Sequence, residues 1–261
     1  MSGRTIVVTG IGQGLGKAIA ETLAARGVTV IGCGPSLDIG ERAHGTGTIH
    51  QFTCDIRSEA QVRQFADAAM EVTGRIDHWI NNAGLALTGS ALVDLAAEDF
   101  DRMVAINLLG TMNCCRVAAP LLQQQGEGWI WNMLGAGWDG VPVPGMGGYA
   151  TTKAALTFLT RSLALEAEGQ RYRVGGLSPG LVMTEGFFRE HARHSEAERP
   201  AREKVVNLIG DHPETIAEWI ADCLAGEAPN GEILAWLTPE RIAQRQAMDP
   251  PRDILSTYAE A

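Results

Sequence analysis

The stretch Thr5-Ile6-Val7-Val8-Thr9-Gly10-Ile11-Gly12-Gln13-Gly14-Leu15-Gly16-Lys17-Ala18-Ile19-Ala20 decides the fold of this chain. Its first five residues are all β-branched, and Arg4–Thr9 reads as a buried strand. Glycines then recur at 10, 12, 14 and 16, and Leu15–Arg26 follows as a helix with Ala18, Ile19 and Leu23 on one face. A strand that runs through a glycine-rich turn into a helix is a phosphate-binding arrangement. Glycine permits positive φ and close approach of backbone to pyrophosphate, and the helix start offers free N–H groups and a positive dipole end. A glycine-rich turn with no ligand is the alternative.

Outward from this unit, short β-rich runs alternate with helical patterns. Strands are predicted at Val28–Cys33, Thr48–Thr53, Ile76–Ile80, Gly128–Leu134, Tyr172–Leu177 and Glu232–Leu237. Helices are predicted from an N-cap at Ser58 to Thr73, over Phe100–Gln125 with a break near Pro120, and over Tyr149–Glu168. This alternation implies an α/β fold: one Rossmann-type, doubly wound parallel sheet of about seven strands with helices on both faces. Residues 1–261 read as a single domain, with a polar, charged segment at 184–210 suited to a substrate lid and a tail at 238–261.

The net charge of -10 and pI of about 5.1 argue against nucleic acid or an anionic membrane as partner. No uninterrupted apolar run reaches the ~18 residues of a spanning helix. Strand residues begin at Thr5, which leaves no room for a signal peptide, and the expected location is cytoplasmic. The five cysteines, Cys33, Cys54, Cys114, Cys115 and Cys223, are odd in number and lack C-x-x-C spacing. They read as buried thiols of a reducing compartment, although Cys33 and Cys54 end neighbouring strands and can approach each other. His191, His194 and Glu190 sit in a charged segment and read as solvated surface, so no metal is expected.

Several further stretches carry chemistry. Tyr149 and Lys153 are spaced i,i+4 and share a helix face. Asn107 lies in Ala105-Ile106-Asn107-Leu108. Cys54-Asp55-Ile56 follows the third strand, Asn81-Asn82-Ala83-Gly84 follows the fourth, and Ser178-Pro179-Gly180-Leu181-Val182-Met183-Thr184 follows the sixth. In this order the motifs resemble the short-chain dehydrogenase/reductase family, of the 3-oxoacyl-ACP reductase type, over residues 4 to about 237. That resemblance implies hydride transfer between a nicotinamide cofactor and a carbonyl or alcohol.

Under the resemblance, Tyr149, Lys153 and Asn107 are catalytic. Tyr149 gives or takes the proton, Lys153 lowers its pKa and binds the nicotinamide ribose, and Asn107 holds a water linking Lys153 to solvent. Gly10, Gly12, Gln13, Gly14, Leu15 and Gly16 would cradle the pyrophosphate. Asp55 and Ile56 would meet the adenine, and Asn82, Ala83 and Gly84 would shape the cleft floor. Pro179, Gly180, Val182 and Thr184 would hold the carboxamide end.

The family carries a catalytic serine where this strand, Trp129-Ile130-Trp131-Asn132-Met133-Leu134-Gly135, has Gly135. Losing such a donor costs about 2.7–4 kcal/mol. Asp139 could substitute, or the substrate could polarise itself. The fold could also serve an isomerase, cyclase or lyase, or a cofactor-binding regulatory protein. Trp138 and Met146 are candidates to line an apolar substrate pocket with Gly135 and Asp139. Trp131 and Met133 read either as pocket or as core. An acid for the NAD ribose is missing after the second strand, where Gly34 leaves space and Ser36 could donate to a 2′-phosphate. The residues lean to NADP(H) over NAD(H), with Asp38 as a displaced ribose ligand the rival. The implied partner is a small, hydrophobic carbonyl or alcohol, and the resemblance, whose members use these long helices as dimer and tetramer surfaces, implies a homodimer or homotetramer.

Overall fold

The computed structural model describes residues 1–191 and 199–258. Its centre is β1 (Thr5–Thr9), where Ile6, Val7 and Val8 are wholly buried. Val7 lies opposite Ile31 of β2 (Thr29–Gly34) and Trp79 of β5 (His78–Asn81), both in parallel register. Beyond them come β3 (Gly40–His44), β4 (Gly47–Thr53), β6 (Trp129–Met133), β7 (Arg173–Ser178) and β10 (Ile233–Ala235). The eight strands run in the order β10-β7-β6-β5-β1-β2-β4-β3. Chain order therefore reverses between β1 and β5, which opens a crevice at their carboxyl ends.

Helices cover both faces, as the alternation requires. On one face α1 (Gly14–Ala25) packs along α7 (Pro213–Ala225), through Ile19, Leu23, Ile216 and Ile220. On the other lie α2 (Glu59–Thr73), α3 (Ala97–Gln125) and α4 (Gly147–Glu166), through Val62, Phe65, Cys114, Leu122 and Ala164. The Ser58 side chain caps α2 by accepting from the Gln61 amide.

The structure departs from the sequence reading at six places. The sheet has an eighth strand, β3, antiparallel to β4 at the edge. The long helix starts at Ala97 and is unbroken at Pro120. Pro120 is exposed, so water can take the carbonyl that its missing N–H leaves unpaired. Near its middle, Val104–Gly110 forms a widened π-helical turn. α7 was not foreseen. The 184–210 segment holds β8 (Leu181–Val182) at its entrance, then α5 (Glu185–His191), α6 (Arg199–Ile209) and β9 (Gly210–Asp211), with β8 and β9 paired in parallel. Two tail helices follow, α8 (Pro239–Gln246) and α9 (Ile254–Tyr258). By length and composition α3 could cross a membrane, but Cys114, Cys115, Ala118 and Leu122 pack its inner face into the core.

A buried polar chain fastens β5 and β6 to α4. Trp79 Nε1 donates to Asn81 Oδ1 (2.8 Å), Asn81 Nδ2 to Asn132 Oδ1 (2.8 Å), and Asn132 Nδ2 to Thr160 Oγ1 (2.9 Å). Asn132 precedes Met133, whose carbonyl reaches the site below, so this chain fixes the helix that carries Tyr149 and Lys153. Asn132→Leu leaves the Asn81 amide only its bond to the Cys115 thiol (3.4 Å) and takes a donor from the Thr160 hydroxyl, which keeps its bond to the Leu156 carbonyl (2.7 Å). The expected loss is about 1–3 kcal/mol in total, read from urea unfolding midpoints at unchanged m-value.

Candidate active site

The glycine turn and the loop after β5 meet at the crevice because neither carries bulk there. A Cβ on Gly10 (φ 75°) would come 2.8 Å from the Ala83 Cα. One on Gly16 would strike the Gly10 carbonyl, so α1 can pack directly beneath the turn. The Thr9 hydroxyl accepts the Asn82 and Ala83 amides, each at 3.0 Å. Asn82 Nδ2 donates to the Thr9 and Gly10 carbonyls (2.9 and 3.3 Å). Thr9 is a site residue the sequence reading missed, and a buried Thr at a strand end was its only signal. Gln13 makes no side-chain cap and the first turn of α1 holds no acid of its own, so the amides of Gly14 and Leu15 begin a positive helix end, which the Glu185 carboxylate approaches to 3.6 Å from a Cβ position on Gly14. Thr184 reaches over this turn, its methyl 3.1 Å from where a Gly14 Cβ would stand.

At the end of β2, Gly34 and the exposed Ser36 flank Leu37. The Leu37 side chain lies 3.1 Å from a Cβ position on Gly34 and 3.3 Å from one on Gly12, so it roofs this part of the crevice. No motif signalled it. Asp38 holds the loop through its carbonyl, which accepts from Gln51 Nε2 (3.0 Å). The Asp55 carboxylate is gripped by the Arg57 guanidinium, with Nε at 3.0 and 2.9 Å from its two oxygens. That pairing holds Asp55 below the usual carboxylate range. Ile56 is buried, as is Cys33, whose thiol hydrogen-bonds Cys54. All five cysteines are free thiols.

The other half of the crevice is built by α3 and α4. Asn107 sits in the widened turn, fully buried. Its side chain clamps Leu85, accepting from the amide (2.7 Å) and donating to the carbonyl (2.8 Å), and also donates to Thr152 Oγ1 (3.0 Å). A Cβ on Gly84 would lie 3.4 Å from Asn107 Oδ1 and 3.8 Å from Lys153 Nζ, so these three residues converge. Lys153 is 4% exposed and donates to the Met133 carbonyl (2.8 Å). Its Nζ lies 5.7 Å from the centre of the Tyr149 ring. Burial pushes Lys153 down to about 8 and Tyr149 up to about 12, so Tyr149 is not lowered by Lys153 as the sequence reading expects: desolvation of the phenol outweighs the neighbouring ammonium.

Gly135 lies against the Tyr149 hydroxyl, and a Cβ at 135 would collide with that oxygen. Trp138 and Met146 are half-buried on the loop leading to α4, and Trp138 N donates to the Gly135 carbonyl (3.0 Å). Asp139 is exposed and caps its own turn, accepting from the Val141 amide (3.1 Å). Trp131 and Met133 are core residues. After β7, Pro179 and Gly180 (φ 72°) turn the chain into β8, which holds Val182 opposite Asp211. The Glu190 carboxylate accepts from the Thr88 amide (3.2 Å). His194 and the His191 side chain lie outside the described residues. Among the described residues, no three His, Cys, Asp or Glu side chains are grouped to hold a metal.

Comparison with known proteins identifies the family. Residues 4–194 match the short chain dehydrogenase family. An NADPH-dependent pterin aldehyde reductase of Arabidopsis thaliana is 35% identical, over 71% of this chain and 77% of that protein. The "Probable chlorophyll(ide) b reductase NYC1" of Oryza sativa subsp. japonica is 29% identical over 92% of this chain, which spans only 51% of that protein's length. The crystal structure of levodione reductase superposes with a TM-score of 0.80 at 26% identity, covering 93% of this chain and 99% of that one. Members of the family bind NAD(P). The chain belongs to the short-chain dehydrogenase/reductase family.

Proposed function

We propose that this protein reduces a small, hydrophobic carbonyl compound, or oxidises the matching alcohol, with NADP(H) ahead of NAD(H). The observation that carries the reading is the convergence of Lys153 Nζ, Asn107 and Gly84 beside Tyr149. The glycine turn and the start of α1 fit a dinucleotide pyrophosphate, since the bare Cα atoms of Gly10 and Gly16 let the loop after β5 and the start of α1 close directly on the turn. When bound, the dinucleotide supplies or accepts the hydride. Gly10, Gly12, Gln13, Gly14, Leu15 and Gly16 would hold its phosphates, Asp55 and Ile56 its adenine, and Pro179, Gly180, Val182 and Thr184 its carboxamide end. Gly34 and Ser36 would receive a 2′-phosphate.

Tyr149 is the proton donor to the carbonyl oxygen. Raised to about 12, its hydroxyl stays protonated at neutral pH and is ready to donate. Lys153, charged below about 8, stabilises the phenolate that forms as the proton leaves. Gly135 stands where relatives supply a serine hydroxyl, and here the tyrosine hydroxyl fills that space. One hydroxyl then both hydrogen-bonds and protonates the oxygen. Support for an apolar substrate comes from Trp138 and Met146, and from the exposed Val141 and Val143 on the same loop. Phe158 and Leu165 are 75% and 67% exposed and seven residues apart on α4, which suits a homodimer or homotetramer. Five free cysteines suit the cytoplasm.

Three measurements test the reading. With NADPH or NADH and a panel of aldehydes and ketones, followed at 340 nm, Tyr149→Phe is expected to lower kcat by roughly 10²–10⁴, and an undiminished rate ends the proposal. The rate of carbonyl reduction should be level at lower pH and fall as pH rises through about 8, as Lys153 loses its charge. Lys153→Met should abolish that break. Gly135→Ala should cost about 1–3 kcal/mol of stability by overpacking. The double variant Gly135→Ala/Tyr149→Phe should recover most of it, because removing the hydroxyl removes the collision.

A further inference from the structure

Asp211 on β9 is 3% exposed and is the meeting point of four hydrogen bonds from the C-terminal part of the chain. Trp236 Nε1 donates to Oδ2 at 2.6 Å. Arg245 Nη2 donates to Oδ1 and Oδ2 at 2.9 and 2.8 Å, and Arg252 Nη2 to Oδ1 at 2.9 Å. Both guanidiniums also reach the Leu208 carbonyl at the end of α6, each at 3.2 Å, and Arg252 reaches the Gly210 carbonyl at 3.1 Å. One carboxylate and the carbonyl end of a helix therefore hold two largely buried cations. The tail is held at two more points. Arg241 stacks 3.5 Å over the Trp236 ring, and the Leu255 amide donates to Asn207 Oδ1 (3.2 Å).

The other side of Asp211 faces the crevice. Val182 pairs with Asp211, and the Met183 amide donates to the Asp211 carbonyl (2.9 Å). Thr184 comes next and overhangs Gly14. A continuous set of contacts thus runs from the tail through Asp211 and β8 to the edge of the glycine turn.

We infer that Asp211, Arg245 and Arg252 are positioning residues. The tail is a strap that fixes β8, and with it Val182 and Thr184, against the nicotinamide half of the dinucleotide. This rests on the dinucleotide reading above. Among the described residues, no hydrogen bond, ion pair or ring contact joins the strap to the adenosine half, which is bounded by Gly34, Leu37 and Asp55. Removing its charges should therefore weaken one half of the ligand and spare the other.

The test uses the full chain, with NADPH and NADH as complete ligands and ADP-ribose and its 2′-phosphate as fragments lacking nicotinamide. Arg245→Met/Arg252→Met is expected to weaken binding of the preferred dinucleotide by about tenfold or more, and of its matching fragment by less than about twofold. Arg252→Lys, which keeps a donor for Asp211, should retain most of the dinucleotide affinity and carries the test if the double variant does not fold. Its counterpart Arg252→Met should then show the selective loss. Equal loss of dinucleotide and fragment, or unchanged affinity for both with only a lower Tm, overturns the inference and leaves the dinucleotide reading standing. A wild-type protein that binds the fragments but gains nothing from nicotinamide also overturns it. A folded wild type that binds no dinucleotide ends both readings.

Discussion

The close approach of α1 to the turn after β1 is the constraint on which the rest of the structure depends. Gly16 has no room for a Cβ against the Gly10 carbonyl, and Gly10 has none against Ala83. Three pieces of backbone, from β1, from α1 and from the loop after β5, therefore share one small volume at the point where strand order reverses. The Thr9 hydroxyl and the Asn82 amide group then satisfy the polar groups this crowding exposes. The crevice exists because these groups are spent on one another at its floor, which leaves the first amides of α1 facing outward.

The half of the crevice built by α3 and α4 rests on a different principle, desolvation. Lys153 is a buried cation whose ammonium finds the Met133 carbonyl, and burial moves Lys153 and Tyr149 in opposite directions. The two shifts suit a site that begins with a neutral, protonated phenol beside a cation near its titration point. Holding that arrangement requires a rigid α4. The Asn81–Asn132–Thr160 chain and the Asn107–Thr152 bond provide it from two sides. The widened turn in α3 matters for the same reason, since it sets the Asn107 side chain against Leu85.

The C-terminal segment adds a third support. Buried ion pairs contribute little net stability, because desolvation offsets their attraction. The Asp211 cluster is better understood as a device of location. It ties the end of α6 and the β8–β9 pair to one place.

Much of this was legible in the sequence. Five β-branched residues followed by spaced glycines specify strand, turn and helix locally, and the alternation of strands and helices specified the layered sheet. The order of Asn107, Tyr149 and Lys153 placed them on neighbouring helices, because i,i+4 spacing is a property of the helix itself. What was illegible depends on contacts between distant segments. β3 is Gly-Glu-Arg-Ala-His, with little intrinsic strand preference, and becomes a strand because β4 offers it an unpaired edge. Pro120 leaves its helix intact because tertiary packing turned it toward water. Leu37 roofs the crevice, Thr9 anchors its floor and Asp211 gathers two arginines from 34 and 41 residues away. The sequence by itself determined the elements and the chemical groups on them, since hydrophobic period and glycine placement act over a few residues. Only the tertiary structure decided which buried polar groups found one another, because each such bond exists only where folding excludes the water that would otherwise have made it.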